Sequence, residues 1–235
     1  MKKILLLLLF PLFSLCAGAQ VGEYRSQLAL GVNGGWLMNK VSFSPSVKLD
    51  FHGGATGGLT LRYTSERYFG ILCALQAEVN YAQMGWRERI ETSADTYSRT
   101  MHYVQVPLLA RLSYGRETRG VMGYLVLGPQ LGFFLSDKEK RGGEWSDATL
   151  ATRPNGVTGQ YGMAVDKTFE YGLTGGLGVE INTKAGHFMV EGRYYYALGD
   201  MFNNGKADYF ARSANGTIIA KVSYLFDIKR KKRQS

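Results

Sequence analysis

Eight segments with an apolar residue at every second position, joined by connections that are alternately long and short, constrain this chain more than any other feature. The segments lie near residues 27–37, 55–63, 68–84, 101–114, 120–134, 169–182, 187–198 and 216–226. Long polar joins fall at about 38–54, 85–99, 135–168 and 199–215, and short ones at 64–67, 115–119 and 183–186. A period of two belongs to strands, whose successive side chains point to opposite faces. A soluble sandwich has no reason to alternate its loop lengths, whereas a barrel that crosses a membrane puts long loops on one side and short turns on the other. The pattern predicts an all-β fold: a closed antiparallel transmembrane β-barrel of about eight strands in up-and-down order, with both chain ends periplasmic. Closure follows from the solvent, because an unpaired strand edge in hydrocarbon would leave backbone groups unsatisfied at several kcal/mol each.

Residues 1–19 read as a secretory signal peptide. Lys2 and Lys3 precede an apolar run at residues 4–15, and Ala17-Gly18-Ala19 supplies a small-x-small cleavage site. The run is shorter than the roughly 20 residues of a spanning helix, and no basic stop-transfer cluster follows it. Leu15, directly before Cys16, is larger than lipoprotein processing accepts. The expected division is therefore a leader over 1–19, one barrel domain over 20–226 and a basic C-terminal tail over 227–235, in the outer membrane of a Gram-negative bacterium. Beyond the leader Cys73 is a lone cysteine and can make no internal disulfide. The chain has 30 Gly, 15 Tyr and 12 Phe against 5 Pro, and after the leader its longest uncharged stretch, residues 120–136, is broken by four glycines and Pro129. A helical membrane protein, which needs long unbroken apolar spans, is excluded.

The alternation also assigns faces. In the last segment Ile218, Ala220, Val222, Tyr224 and Phe226 share the lipid side. In the seventh, Phe188, Val190, Tyr194, Tyr196 and Leu198 do so, which turns His187, Met189, Glu191, Arg193 and Tyr195 inward. The same rule sends Arg62, Glu78, Arg111, Glu180 and Lys221 to the lumen, with Gln76, Asn80 and Gln105. An eight-strand barrel is only wide enough inside for side chains to fill. The set Arg62, Glu78, Arg111, Glu180, Glu191, Arg193 and Lys221 is therefore read as a paired lumen charge network, a structural plug in place of a diffusion pore. A proton or ion path is the functional alternative, since ionisable groups at membrane depth are candidates by default. Trp36, Tyr63, Phe69, Trp86, Tyr114, Phe133 and Tyr171 gather toward segment ends as an interfacial girdle.

The motifs Tyr103-Val104-Gln105-Val106-Pro107-Leu108-Leu109-Ala110-Arg111, Gly128-Pro129-Gln130-Leu131-Gly132 and Gly175-Gly176-Leu177-Gly178-Val179-Glu180 resemble the PorT-like outer-membrane β-barrel family. Glu191-Gly192-Arg193-Tyr194 and the closing Val222-Ser223-Tyr224-Leu225-Phe226 continue it in order, so the resemblance covers essentially the whole chain after the leader. It implies a single outer-membrane barrel and carries over no catalytic or ligand residue. The founding member serves secretion of cell-surface proteinases by the type IX route, so an accessory role in secretion is one implied function. The aromatic-x-aromatic end of the last segment resembles the terminal signal read by the barrel-insertion machinery, although nine residues follow Phe226.

Enzymatic chemistry finds little support. A membrane-embedded hydrolase or acyltransferase needs a His near a Ser and a carboxylate, and His52, His102 and His187 are spread over a loop, a strand start and the far end of another strand. No Cys/His cluster suits a metal, and the glycines at 175–178 lie within a strand, where they do not open a phosphate-binding helix. No catalytic, cofactor-binding or metal residue is expected. The net charge of +9 falls by two on loss of Lys2 and Lys3, and much of the rest is Lys229, Arg230, Lys231, Lys232 and Arg233. Beside a closing strand such a run suits anionic lipid headgroups, and nucleic acid is not expected as a partner. The long join at 135–168, with Trp145 and Tyr161, is either a contact surface for an extracellular ligand or secretion-system partner or a mobile loop. The expected function is a structural or interaction role through the long loops.

Overall fold

The computed structural model describes residues 23–117 and 119–232, so the expected leader at 1–19 and the last residues of the expected tail, 233–235, lie outside the described residues. Nine strands follow in order: β1 (Glu23–Ser44), β2 (Leu49–Asp50), β3 (His52–Tyr68), β4 (Ile71–Glu88), β5 (Thr96–Gly115), β6 (Gly120–Gly142), β7 (Phe169–Asn182), β8 (His187–Ala197) and β9 (Arg212–Lys232). β1 pairs with β3, each later strand with its successor, and β9 returns to β1, all antiparallel. Eight strands thus close an up-and-down ring. The two-residue β2 adds only to the outer end of β4, at Glu88 and Arg87.

Most strands are longer than the sequence suggests. β6 has 23 residues and β1 has 22, against the roughly 9–11 needed to cross a bilayer at a tilt. The excess projects from the loop end and takes residues from the long joins: the connection expected at 38–54 shrinks to 45–51, and that at 85–99 to 89–95. The polarity of these extensions hides them from a search for apolar alternation. The first short turn is also displaced. Residues 64–67 belong to β3, and the chain reverses at Phe69 and Gly70, whose φ values of 46° and 95° are those of a two-residue primed hairpin turn. A phenylalanine in the left-handed region carries no turn signal, so the polar residues before it attracted the assignment. At the C-terminal side, residues 227–232 continue β9, with Ser26 opposite Lys231 and Arg25 opposite Lys232. The basic run is thus a strand end.

Outward residues such as Val32, Leu59, Leu75, Leu127, Leu177 and Val190 are about half exposed or more and form the lipid-facing band. Inside, two apolar clusters flank the polar lumen. Ala29, Leu109, Tyr124, Val126, Met189 and Leu225 pack toward the hairpin end. The larger cluster fills the loop end around Trp86, Tyr97, Met101, Tyr195, Phe202 and Phe210, with Trp145 and Tyr161 of the third long connection packed against it. Trp86 is fully buried there and is not part of the girdle. Its parity explains this: it shares a face with Gln76, Glu78 and Asn80 on β4.

Candidate functional site

Strand alternation delivers polar side chains from β1, β3, β4, β5, β7, β8 and β9 to one lumen. Arg62, Glu78, Arg111, Glu180, Glu191, Arg193 and Lys221 are all at most 5 % exposed and fall into two clusters. In the first, Arg193 donates twice to Glu78, Nη2 to Oε1 at 2.6 Å and Nη1 to Oε2 at 3.0 Å, and Lys221 Nζ donates to Oε2 at 2.5 Å. Glu191 Oε1 lies 2.6 Å from Arg193 Nη2 and 3.3 Å from Lys221 Nζ, so two carboxylates balance two cations. In the second, Glu180 Oε2 receives Arg62 Nη1 at 2.7 Å and also Arg111 Nη2. Gln76 joins the clusters, donating to Glu78 at 2.7 Å and accepting from Arg111 at 3.3 Å.

Tyr124, missed by the sequence reading, and His187, which that reading turned inward, complete this lumen. Tyr124 lies under the Arg111 guanidinium, 3.5 Å from its Cζ, and donates to Glu191 at 3.0 Å. Its room comes from Gly178 on β7, where a Cβ would stand 2.3 Å from Tyr124 Cζ. His187 closes the hairpin end. Its Nδ1 is 2.5 Å from Asn182 Oδ1 and 2.8 Å from Glu180 Oε1, and its Nε2 is 3.1 Å from Asp227 Oδ1, which also accepts from Gln27 at 2.7 Å. The cavity beneath the second cluster, lined by Arg62, Arg111, Glu180 and His187, measures about 20 Å³. That is the space of roughly one water molecule. Buried charges persist only when paired and hydrogen-bonded, and this lumen meets that condition across strands far apart in sequence.

The loop end is built with the same care. Arg153 Nη2 donates to Asp95 Oδ2 at 2.8 Å with both side chains almost wholly enclosed, and Arg153 also reaches Ser93 Oγ at 3.0 Å and the Tyr161 hydroxyl at 3.1 Å. Tyr161 donates to Glu88 at 2.7 Å. Burial pushes the Glu88 carboxyl above its usual range, more than the hydrogen bonds from Tyr161 and Gln160 pull it down. For Asp95 burial also pushes upward, but hydrogen bonds from Arg153, Thr149 and Ser93 prevail and hold it below the usual range. Arg99 donates to Asp137 at 2.7 Å and to the Met163 carbonyl at 2.6 Å. A short helix, α1 (Asp147–Ala151), starts at a Ser146–Thr149 capping box. The third connection is therefore folded onto the barrel as a cap.

The three histidines stay apart in partners. His52 Nε2 is 3.0 Å from Thr100 Oγ1, and His102 Nδ1 is 2.6 Å from the Tyr81 hydroxyl, both on the outer wall, while His187 lies in the lumen. Among the described residues no group of three or more His, Cys, Asp or Glu could hold a metal ion. Cys73 is a free, half-buried cysteine on β4.

Residues 19–203 match the family model described as outer membrane protein beta-barrel domain. Among solved structures the chain is similar to the outer membrane protein OprG from Pseudomonas aeruginosa (14 % identity, TM-score 0.45, covering 87 % of this chain and 98 % of that one). It is also similar to Neisserial surface protein A (16 %, 0.39, 84 % and 99 %) and to Ail, the attachment invasion locus protein of Yersinia pestis (17 %, 0.35, 84 % and 98 %). No curated protein matches.

Proposed function

Because this chain belongs to the family of outer membrane protein β-barrel domains, we propose that it acts as a closed, non-catalytic barrel whose ordered loop end contacts an extracellular ligand or partner. The observation that carries the reading is the cap: Arg153, Asp95, Glu88 and Tyr161 form a buried polar network over an aromatic core beyond the lipid-facing band. A loop with no target has no need of such ordering, whereas a contact surface gains affinity from being held in shape before it binds. The paired lumen charges supply the floor of this platform and leave no continuous water path. In this reading the hairpin end and both chain ends are periplasmic, and residues 1–19 are the export leader.

Two measurements test it. In planar bilayers the purified protein is expected to show no sustained open level, and a steady conductance would overturn the closed lumen. In a strain lacking the gene, a chain whose residues 144–157 are replaced by a short Gly-Ser link should still insert but behave as the deletion does. Full rescue by the trimmed chain would remove the cap from the function. An accessory role in type IX-like secretion keeps the support of the PorT-like motifs alone, and cargo trapped in the deletion strain would favour it.

A further inference from the structure

Above the lipid-facing band, the outer wall formed by β4, β5 and β6 turns basic. The outward residues there are Arg87 on β4, Ser98 and Thr100 on β5, and Lys138 and Lys140 on β6. Arg87 stands opposite Ser98, Ser98 opposite Lys140, and Thr100 opposite Lys138. Neighbouring strands lie about 4.8 Å apart, so these five residues share a patch roughly 10 Å across. The three cations are exposed, and among the described residues none of them is in an ion pair, whereas Lys48, Arg89 and Arg141 each have a carboxylate partner.

The acidic side chains of β6 have been turned away, and Asp50, opposite Arg87 across the β2–β4 pair, is bonded to Arg89. His102 pairs with Ser136 but Tyr103 with Phe134, so Leu135 is an extra residue in β6. This bulge reverses the alternation beyond it, sending Asp137 and Glu139 inward to Arg99 and leaving Lys138 and Lys140 outside. His52, bonded to Thr100, registers the resulting field: burial first, then the nearness of Arg87 and Lys140, push its imidazole below the usual value.

Toward the hairpin end the same wall grades into apolar surface. Tyr81 and His102 stack at 5.7 Å as the girdle. Below them a groove of about 390 Å³ is lined by Leu75, Ala77, Leu108, Ala110 and Pro129, among others. Acyl-sized groove, aromatic girdle and unpaired cations thus follow one another along three adjacent strands, in the order in which a lipid presents chain, glycerol or sugar, and phosphate. A soluble acidic partner would match only the last of these. We infer that this wall is a specific site for a phosphorylated lipid of the outer leaflet, with Arg87, Lys138 and Lys140 holding its phosphate. The assignment to that leaflet rests on the reading that the loop end is outside.

The test uses the full folded chain in neutral detergent, with folding checked by heat-modifiable migration and bound lipid counted by native mass spectrometry. Lipopolysaccharide with intact phosphates is expected to bind one-to-one, and dephosphorylated lipopolysaccharide or inorganic phosphate at least tenfold more weakly. Each basic residue near a charged lipid surface contributes about fivefold, so the triple variant R87Q/K138Q/K140Q should lose on the order of a hundredfold, while Lys229→Gln at the opposite rim should bind as the parent does. Equal binding by the triple variant, or by dephosphorylated lipid, would overturn the site. The orientation is scored separately, by labelling Glu144→Cys in a Cys73→Ala background on intact cells: its failure with binding intact rejects the outer leaflet and leaves the phosphate site standing.

Discussion

At the scale of single residues, Glu78 has the most consequential position. It is enclosed between Arg193 and Lys221 and also accepts from Gln76 and Asn80. Removing one partner of a buried ion pair costs about 3–5 kcal/mol because the other charge stays buried. Glu191 still faces both cations, so Glu78→Gln should fall near 3 kcal/mol, and Glu78→Gln with Lys221→Met should cost less than the single change. Urea titration of the folded, heat-modifiable species reads both, and a double variant weaker than either single one would contradict the pairing. The cap carboxylates respond to pH in opposite senses. Asp95, held low, contributes stability that is complete above its unfolded value near 3.9 and is lost as pH falls through its lower folded value. Glu88, held high, disfavours the fold when ionised, so stability rises as pH falls through its folded value. Proteolysis within residues 143–168 should therefore slow as pH falls from neutral toward the unfolded glutamate value of about 4.3 and accelerate only below the unfolded aspartate value of about 3.9. Glu88→Gln should remove the first change and leave the second.

At the scale of elements, alternation was legible wherever a strand crosses lipid. The inward parity of Arg193 on β8 and Lys221 on β9 can be read from adjacent residues such as Tyr194 and Val222, which face lipid and are apolar. Features without a local mark stayed hidden. Tyr124 enters the lumen because Gly178, on another strand, has no side chain, and Arg153 meets Asp95 only after the third connection folds back. The bulge at Leu135 was silent for a related reason, because a leucine facing lipid looks the same with or without a change of register. Deleting Leu135 should rejoin the two halves of β6 in one alternation while Asp137 and Glu139 stay against Arg99 and Lys138 and Lys140 stay outside. The expected result is a barrel that keeps its heat-modifiable migration and whose cap residues 143–168 resist added protease as they do in the parent. Rapid cleavage would show that the local bend at the bulge, and not the facing of Asp137 and Glu139 alone, holds the cap.

For the whole molecule, alternating connection lengths predicted a ring, and the pairing of β9 with β1 completes it over twenty matched positions from Arg25–Lys232 to Ser44–Arg212. Burial of each strand's polar edge in its neighbour is what lipid requires of any such sheet. The ring is held together by strand pairs of similar kind, and charges are matched across it between β3 and β7, and between β4, β8 and β9. The β1–β9 seam is chemically no different from the other seven, so the ring has no privileged starting point. A circularly permuted chain, with its old ends joined across that seam and new ends cut within residues 183–186, should fold to the same barrel in detergent. In cells the outcome separates two kinds of information: the permutant hides Tyr224-Leu225-Phe226 in mid-chain, so a protein that refolds in vitro yet fails to reach the outer membrane would show that chain order here serves as an address and not as a folding instruction.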